Sequence, residues 1–388
     1  MAHTETDIAP PNRLRYTLDG DATVEARIAR DQSLIADAVQ SLVAPPTFVA
    51  LVLMGGYGRG EGGYCLRHGQ PEPYNDYDYF VAVRQTGRSQ RRTLQQALAQ
   101  RAKTLEHEVG VEVDFALLRQ ERLPKAEYSL MNAEMLWGHR VVAGNPHVLD
   151  AMPSMPFARL PRGELTRLLL NRGALLLMNR QRLADGSVLG PERQEVFFKY
   201  LFKAVLACGD ARLAGTGAYH PSYAQKLERL QRMDWSGKAS FMELYTQAWE
   251  QKFHPDYGRY AAEDAARWQE RVVRLWLETL AWFEQQRLGR AFGDWDAYAL
   301  PSVPKGQGQS RWRNAAIAVR DFGLAELPRR PRWCLRYPRE RLIAALPLLL
   351  SRPDRPASPI LADALALPEG ASWTQATESF LRLWRRFA

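Results

Sequence analysis

The feature that most constrains the fold is a dense group of glycines between two apolar segments. Six glycines occur among the nine residues from Gly55 to Gly63, directly after the apolar run 47–54 (TFVALVLM). A second apolar run, 77–83 (YDYFVAV), follows and is preceded by Asp76. Short apolar runs bounded by turn residues predict buried strands. We therefore expect two strands joined by a loop whose bare backbone can approach another group closely.

Strands and helices alternate around this loop. Residues 22–43 carry apolar side chains at helical spacing, and residues 88–110 predict a second helix that ends at a glycine. Two more strands are predicted, at 111–118 (VEVDFALL) and at 139–146 (HRVVAGNP). This alternation is typical of an α/β (α+β) domain, here with a small mixed sheet.

The rest of the chain has a different character. From about residue 160 to residue 290 the pattern is helical, with periodic leucines and aromatic residues. Proline and glycine then become frequent, and short helices are predicted at 338–351 and 373–387. The sequence therefore predicts three domains: an α/β domain at 1–155, an α-helical bundle at 156–295 and a basic Pro/Arg-rich C-terminal region at 296–388.

Composition excludes several classes of protein. The three cysteines are far apart and form no Cys-x-x-Cys pattern, which argues against a disulfide scaffold or a structural zinc site. The N-terminus has no apolar signal segment, and no apolar run reaches the length of a membrane span. A cytoplasmic protein with no membrane partner is expected.

The net charge of +9 is concentrated near the C-terminus, since residues 301–388 contain 15 Lys and Arg against 7 Asp and Glu. A concentrated basic region is compatible with nucleic acid or another anionic partner. The arginines are interleaved with proline and leucine, however, and a solvated arginine-rich surface is the simpler interpretation.

The glycine loop also contains a G-x-G-x-x-G pattern at Gly58, Gly60 and Gly63, and Asp78 lies twenty residues after Gly58. This spacing matches the dinucleotide-binding fingerprint. That motif requires a helix that begins within the glycines and holds the pyrophosphate. The following residues, YCLRHGQPEPYN, contain two prolines and no helical period, so no such helix is expected. The acidic residue of the fingerprint also ends its strand, whereas Asp78 begins one.

The carboxylates indicate a different chemistry. Asp76 and Asp78 are two residues apart, so in a strand they point to the same face. Asp114, in the strand at 111–118, offers a third carboxylate. Mg²⁺ is usually bound by a few carboxylates together with substrate phosphates, and paired metal ions serve displacement at phosphorus. The glycine loop can bind a phosphate through its N–H groups. Together these features predict a bound nucleoside triphosphate bridged to metal.

The segments GGYGRGEGG, NDYDYFVAV and VEVDFALL together resemble the nucleotidyltransferase superfamily related to DNA polymerase beta. The RGE within the loop resembles its minimal and aminoglycoside-type branch in particular. The resemblance covers about residues 47–150. It implies a nucleotidyltransferase domain followed by a helical bundle, with Mg²⁺ or Mn²⁺ as cofactor and an NTP as substrate.

The resemblance also implies residue roles. Gly55 and Gly56 would face the triphosphate. Asp76 and Asp78 would bind both metal ions, and Asp114 would bind the catalytic metal and help to deprotonate the acceptor hydroxyl. The chain departs from the family at Gly56, where serine is frequent, and in the insert LRHGQPEP before the first aspartate.

Several other residues near these motifs have two readings. Arg59 is either a phosphate contact, because guanidinium suits phosphate, or a surface arginine paired with Glu61. We expect Glu61 to stabilise the loop through backbone N–H groups. Glu112 shares the face of Asp114 and is an alternative ligand, although the family pattern favours Asp114.

The helical region offers further candidates. Lys199 and Lys203 lie four residues apart on one predicted helix face. Lys203 is the better candidate for nucleotide binding, with a snorkelling surface lysine as the alternative. His220, Tyr223 and Lys226 either line a cleft or form a turn and a helix cap.

The sequence thus predicts a Mg²⁺-dependent nucleotidyltransferase that transfers an NMP to an acceptor hydroxyl and releases pyrophosphate. The acceptor stays open among a small molecule, a protein, an RNA end and a second nucleotide. Two alternatives belong to other classes: a catalytically inactive nucleotide-binding or antitoxin-like module, and a nucleic-acid-binding protein that acts through its basic C-terminus.

Overall fold

The structure, a computed structural model, describes residues 14–67, 69–188, 190–306 and 310–388. The chain divides into two compact units. The first contains the described residues up to Pro161 together with two later segments, Tyr219–Arg232 and Trp249–Asp256. The second contains the remaining described residues.

The strands of the described residues, in chain order, are β1 (Phe48–Leu53), β2 (Tyr64–Arg67), β3 (Gln70–Pro73), β4 (Tyr77–Val83), β5 (Val113–Arg119) and β6 (Arg140–Gly144). The α-helices are α1 (Ala22–Leu42), α2 (Gly55–Arg59), α3 (Arg88–Val109), α4 (Leu130–Trp137), α5 (Arg162–Ala184), α6 (Pro191–Gly215), α7 (Tyr223–Arg232), α8 (Lys238–Phe253), α9 (Ala265–Leu288), α10 (Trp295–Ala299), α11 (Arg311–Phe322), α12 (Glu326–Arg329), α13 (Pro331–Cys334), α14 (Pro338–Ser351), α15 (Pro359–Leu365) and α16 (Trp373–Phe387).

The first unit is built on a four-stranded sheet in the order β5-β4-β1-β6. β1 pairs antiparallel with both β4 and β6, whereas β4 and β5 run parallel. A parallel pair requires a crossover connection, and α3 supplies it. The predicted small mixed sheet and the mixed α+β class are therefore confirmed. All four strands expected from the sequence are present.

One face of this sheet packs against α1 and α3. Its core combines apolar residues of both helices with alternate residues of the strands, such as Tyr77 and Tyr79. Both tyrosine hydroxyls reach α1, where Tyr77 donates to Asp31 (2.9 Å) and Tyr79 donates to Gln32 (2.6 Å). Burial raises the pKa of the Asp31 carboxyl. These two bonds attach the start of β4 to α1, so the intervening residue, Asp78, points to the opposite face.

The segment after the glycine loop differs from the prediction. It was expected to be a linker because it contains Pro71 and Pro73. Instead, β2 and β3 form an antiparallel hairpin that turns at Gly69, whose φ is +75°. An isolated two-stranded ribbon tolerates proline because its outer N–H groups need no partner. The period-2 pattern was too short to reveal the hairpin.

In the second unit the long helices α5, α6 and α9 pack together. Trp276 of α9 is almost fully buried, and its indole N–H donates to the carbonyl of Leu169 in α5 (3.1 Å). A Cβ at Gly173 would lie 2.4 Å from this indole ring, so only glycine fits there. The sequence-based expectation of packed helices in this region agrees with the structure.

The C-terminal helices pack onto the same bundle. α14 contacts α5 and α16, and its apolar residues from Leu342 to Leu350 are buried. The indole N–H of Trp384 in α16 donates to Asn171 of α5 (3.1 Å). The helices predicted at 338–351 and 373–387 have these bounds. The domain boundary expected at 295 and 296 stays a prediction, and the described helices on its two sides belong to one compact unit. None of the described helices has the length and apolar character to cross a membrane.

Candidate active site

The pairing of β4 with β5 places the predicted carboxylates side by side. Asp78 is the register partner of Asp114, so the two side chains leave the sheet on the same face of adjacent strands. Asp76 precedes Asp78 by two residues. Asp76 and Asp78 are half-buried, and Asp114 is exposed. The parallel crossover thus brings together, at the start of two strands, groups that lie more than thirty residues apart in sequence.

The glycine loop lies directly beside these carboxylates. The N–H of Met54 at the end of β1 donates to the carbonyl of Asp78 (2.8 Å). Gly55 comes next with a φ of +65°, and a Cβ there would lie 3.0 Å from Oδ2 of Asp78. Gly55 therefore has two reasons to be glycine: its left-handed backbone and the carboxylate it faces.

A short helix, α2, begins at Gly55 and ends at Gly60, which has a left-handed φ of +76°. The expectation that no helix begins within the glycines is therefore wrong. Glycine has low helix propensity, and a single turn leaves no period in the sequence, which explains the error. The arrangement still differs from a dinucleotide-binding motif, because the β2–β3 hairpin follows this one turn. The first N–H groups of any helix lack intrahelical partners, and in α2 these groups belong to Gly55, which lies against Asp78, and to Gly56.

Other glycines in the loop are explained by packing around Tyr57. This ring is buried, and a Cβ at Gly62 would lie 2.1 Å from it. The Tyr57 hydroxyl donates to the carbonyl of Gly63 (2.7 Å) and accepts from the N–H groups of Tyr74 (3.1 Å) and Asn75 (3.2 Å). Tyr57 thereby fixes the backbone that leads to Asp76.

Behind the loop lies a buried charge network centred on Glu134 of α4. Its carboxylate is 3.5 Å from Nη1 of Arg59 and 3.6 Å from Nζ of Lys226, and it accepts a hydrogen bond from the hydroxyl of Tyr219 (2.5 Å). Lys226 is fully buried and Arg59 nearly so. Burial alone would raise the pKa of Glu134, but Lys226 and Arg59 outweigh it and hold this pKa below its usual range.

This network corrects one reading of Arg59. The arginine is not a surface residue paired with Glu61, because it is buried and its ion pair is with Glu134. Its predicted contact with phosphate stays a prediction. Glu134 belongs to no sequence motif. Only the packing of α4 against the loop shows that it pairs with Arg59 and Lys226.

Glu61 ties the glycine loop to the start of α7. Its carboxylate accepts from the hydroxyl of Ser222 (2.5 Å) and from the N–H of Tyr223 (3.1 Å). Ser222 also caps α7 by accepting from the N–H of Gln225 (3.3 Å). The expectation of a turn and a helix cap at residues 220–226 is confirmed. Glu61 binds a backbone N–H as expected, but this N–H belongs to Tyr223 of α7 and not to the glycine loop.

His220, in the same turn, accepts a hydrogen bond at Nδ1 from the N–H of Ser222 (3.0 Å). Burial, followed by the nearby Arg229 and Lys226, lowers the pKa of His220 to about 4. The imidazole is therefore neutral at pH 7 and acts as a structural acceptor.

Lys252 is the cation that sequence reasoning missed. Burial, together with the charges of Arg59 and Lys226, lowers the pKa of Lys252 to about 8, although Glu61 and Asp76 act in the opposite direction. Its Nζ lies 4.4 Å from the centre of the Tyr223 ring. No spacing rule connects residue 252 with residue 76, so only the fold could associate this lysine with the carboxylates.

Lys203, the lysine chosen from the sequence, is half-buried in α6 of the second unit. Its role in nucleotide binding stays a prediction. Within the first unit, three cations (Arg59, Lys226 and Lys252) accompany two carboxylates of the network. The network itself therefore has one more cation than carboxylates, and these cations offset part of the negative charge of Asp76, Asp78 and Asp114.

The donor set fits a magnesium ion in its chemistry. Asp76, Asp78 and Asp114 supply only carboxylate oxygens, which Mg²⁺ prefers, and Asp78 and Asp114 lie on one face of the sheet. Among the described residues, however, no three His, Cys, Asp or Glu side chains form a group that could hold a metal ion. An ion held here would therefore complete its coordination with phosphate oxygens and water, as Mg²⁺ does at nucleotide sites.

Comparison with protein-family models, with curated proteins and with solved structures finds no match for this chain.

Proposed function

We propose that this protein is a nucleotidyltransferase that moves a nucleoside monophosphate from an NTP to an acceptor hydroxyl. One observation carries the proposal: Asp78 and Asp114 are register partners on adjacent parallel strands, and the left-handed Gly55 lies against the Asp78 carboxylate. The glycine turn and the paired carboxylates are thereby within reach of one ligand.

In the proposed reaction the acceptor oxygen forms a bond to the α-phosphorus, and the bond from this phosphorus to the β-phosphate oxygen breaks. Pyrophosphate leaves, and the hydroxyl proton passes to Asp114, the exposed carboxylate. Asp76, Asp78 and Asp114 would hold Mg²⁺, which neutralises phosphate charge when bound. The N–H groups of Gly55 and Gly56 would orient the triphosphate. Catalysis of this kind rests on positioning and on electrostatic stabilisation.

Lys252 supports the same function. It lies close enough to Glu61 and Asp76 for their charges to raise its pKa, and it is a flexible cation with three donors. A triphosphate brings about four negative charges to a site that already has three carboxylates, and two Mg²⁺ ions do not balance this total. We propose that Lys252 compensates part of that charge.

The test is to incubate the purified full chain with each α-labelled NTP and Mg²⁺, beside the Asp76→Ala and Asp78→Ala variants. Asp37→Ala is the matched control, because Asp37 is an exposed aspartate of α1 on the other side of the sheet. We expect pyrophosphate release by the wild type and the control, and at least about a hundredfold loss in both site variants. The position of the label identifies the acceptor class. Activity retained in Asp76→Ala or Asp78→Ala refutes the proposal, as does the absence of both product and Mg²⁺-dependent NTP binding in the wild type.

A further inference from the structure

Trp312 is the most exposed of the large aromatic side chains in the second unit's described part. It is 87% exposed at the start of α11, whereas Trp276 and Trp333 of the same unit are at most 2% exposed. Arg311 and Arg313 flank it, and both are exposed. A tryptophan left in water gains nothing for folding, so its position calls for another explanation.

The outward direction of Trp312 is set by the helix. Asn314 and Ala318 form the buried side of α11, and the side-chain amide of Asn314 donates to the carbonyl of Leu335 (3.2 Å). At 100° per residue, Trp312 lies on the side opposite to these two residues. Ser310 caps the helix by accepting from the N–H of Arg313 (3.5 Å). The exposed indole is therefore carried on a helix whose inner face is fixed.

Exposed arginines lie next to Trp312 in sequence and on the helices that pack against α11. α11 packs against α12 and α13, which carry the exposed Arg329 and Arg332. We define the basic patch as Arg311, Trp312, Arg313, Arg329 and Arg332. Its four arginines have no ion pair among the described residues.

The carboxylates near α11 in sequence already form ion pairs with other arginines. Residues 310–341 contain three, namely Asp321, Glu326 and Glu340. The Asp321 side chain is 1% exposed and lies between Arg320 and Arg386. Glu326 and Glu340 are buried and also face arginines. Within residues 310–341 the acidic side chains are therefore turned inward, and the partly exposed Asp363 nearby is paired with Arg330.

We propose that the basic patch binds single-stranded nucleic acid, with Trp312 stacked on a base and the four arginines on phosphates. An exposed aromatic ring among arginines is the combination that such ligands require. A lipid surface would require a continuous apolar face, but the apolar side of α11 is turned into the protein. This proposal concerns the second unit alone and does not depend on the nucleotidyltransferase proposal.

The test is fluorescence anisotropy with labelled 12-nucleotide oligo(U) and oligo(dT) on the full chain, at several salt concentrations. Four phosphate contacts predict a slope of about −3 for log K against log salt, since each contact on a single strand contributes about −0.7. Trp312→Ala should weaken binding by about five- to a hundredfold, the usual effect of losing one stacked base. The double variant Arg311→Gln/Arg313→Gln should make the slope less negative by about 1.4.

Two matched controls accompany these variants. Leu324→Ala removes another exposed apolar side chain, 70% exposed, from the same region. Arg88→Gln/Arg92→Gln removes two exposed arginines from α3 in the first unit. Both controls should bind as the wild type does, and Asp76→Ala/Asp78→Ala should also retain binding.

Equal binding by Trp312→Ala and Leu324→Ala would overturn the proposal, and so would the absence of oligonucleotide binding. Two further results would also overturn it by naming another occupant. One is Trp312-dependent binding to phosphatidylserine vesicles without oligonucleotide binding. The other is self-association of the wild type that Trp312→Ala abolishes.

Discussion

The contact between Gly55 and Asp78 allows the site to be tested with a single methyl group. In Gly55→Ala the residue must keep a φ of +65°, which strains an L-amino acid by about 1–2 kcal/mol. The new Cβ would also lie 3.0 Å from Oδ2 of Asp78, closer than an ordinary van der Waals contact. The half-buried carboxylate must therefore shift by a few tenths of an ångström. Since a displacement of about 1 Å can lower a rate about a hundredfold, we expect at least about a tenfold loss of activity.

Gly110→Ala separates the two effects. Gly110 caps α3 with a φ of +80°, and nothing lies within 4 Å of the position its Cβ would take. It carries a similar backbone strain without a neighbouring carboxylate. We expect both variants to lose about 1–2 kcal/mol of unfolding free energy, but only Gly55→Ala to lose activity.

The assay combines pyrophosphate release with guanidinium unfolding for the wild type and both variants. A further measurement, the affinity for an NTP in the presence of Mg²⁺, reports on the site without the acceptor. If Gly55→Ala matched Gly110→Ala in both activity and NTP affinity, the Asp78 carboxylate would not need its observed position, and the reasoning would be refuted.

Three more predictions follow from the buried charges. Glu134→Gln should lower the unfolding free energy by about 3 kcal/mol, because it leaves Arg59 and Lys226 uncompensated. Adding Lys226→Met should restore part of this free energy. Additive losses in the double-mutant cycle would contradict the network. Lys252→Gln should weaken Mg²⁺-dependent NTP binding about tenfold or more, measured by calorimetry, through loss of one charge-assisted hydrogen bond. Burial lowers the pKa of Lys305 to about 7. Above that pH the unfolded chain keeps the lysine proton that the folded chain has lost. The unfolding free energy should therefore rise by up to about 1.4 kcal/mol per pH unit between about pH 8 and pH 10. Lys305→Met should lack this rise in guanidinium unfolding, and an unchanged pH dependence would exclude the buried lysine as its source.

Local patterns were sufficient for the regular elements. The strand at 77–83 and the helices at 338–351 and 373–387 have their predicted bounds, because a continuous apolar period determines both the element and its ends. The Gly110 cap was predicted from residue type alone, since the left-handed position favours glycine. Where the element was too short for a period, as in α2 and the β2–β3 hairpin, the prediction was wrong.

Local sequence patterns also predicted only part of the candidate site. Asp76 and Asp78 were selected from the sequence because a period of two assigns them to one face of a strand, and Asp114 was selected because the family resemblance implies a third carboxylate on a later strand. Lys252 and Glu134 were not, because their relation to the loop depends on which helices pack there. One of the two interpretations of Arg59, a surface residue paired with Glu61, was wrong, because the fold buries this arginine beside Glu134.

The sequence by itself determined where the chain would form strands and helices, and which carboxylates would share a face, because these properties depend on neighbours within a few residues. Only the tertiary structure decided that β5 lies parallel to β4 with Asp114 opposite Asp78, and that Lys226 and Lys252 join Arg59 behind the glycine loop. It also decided that Trp312 faces water while the carboxylates of its region are turned inward. The physical reason is that burial and charge compensation are set by packing between segments distant in sequence, and no local period encodes that packing.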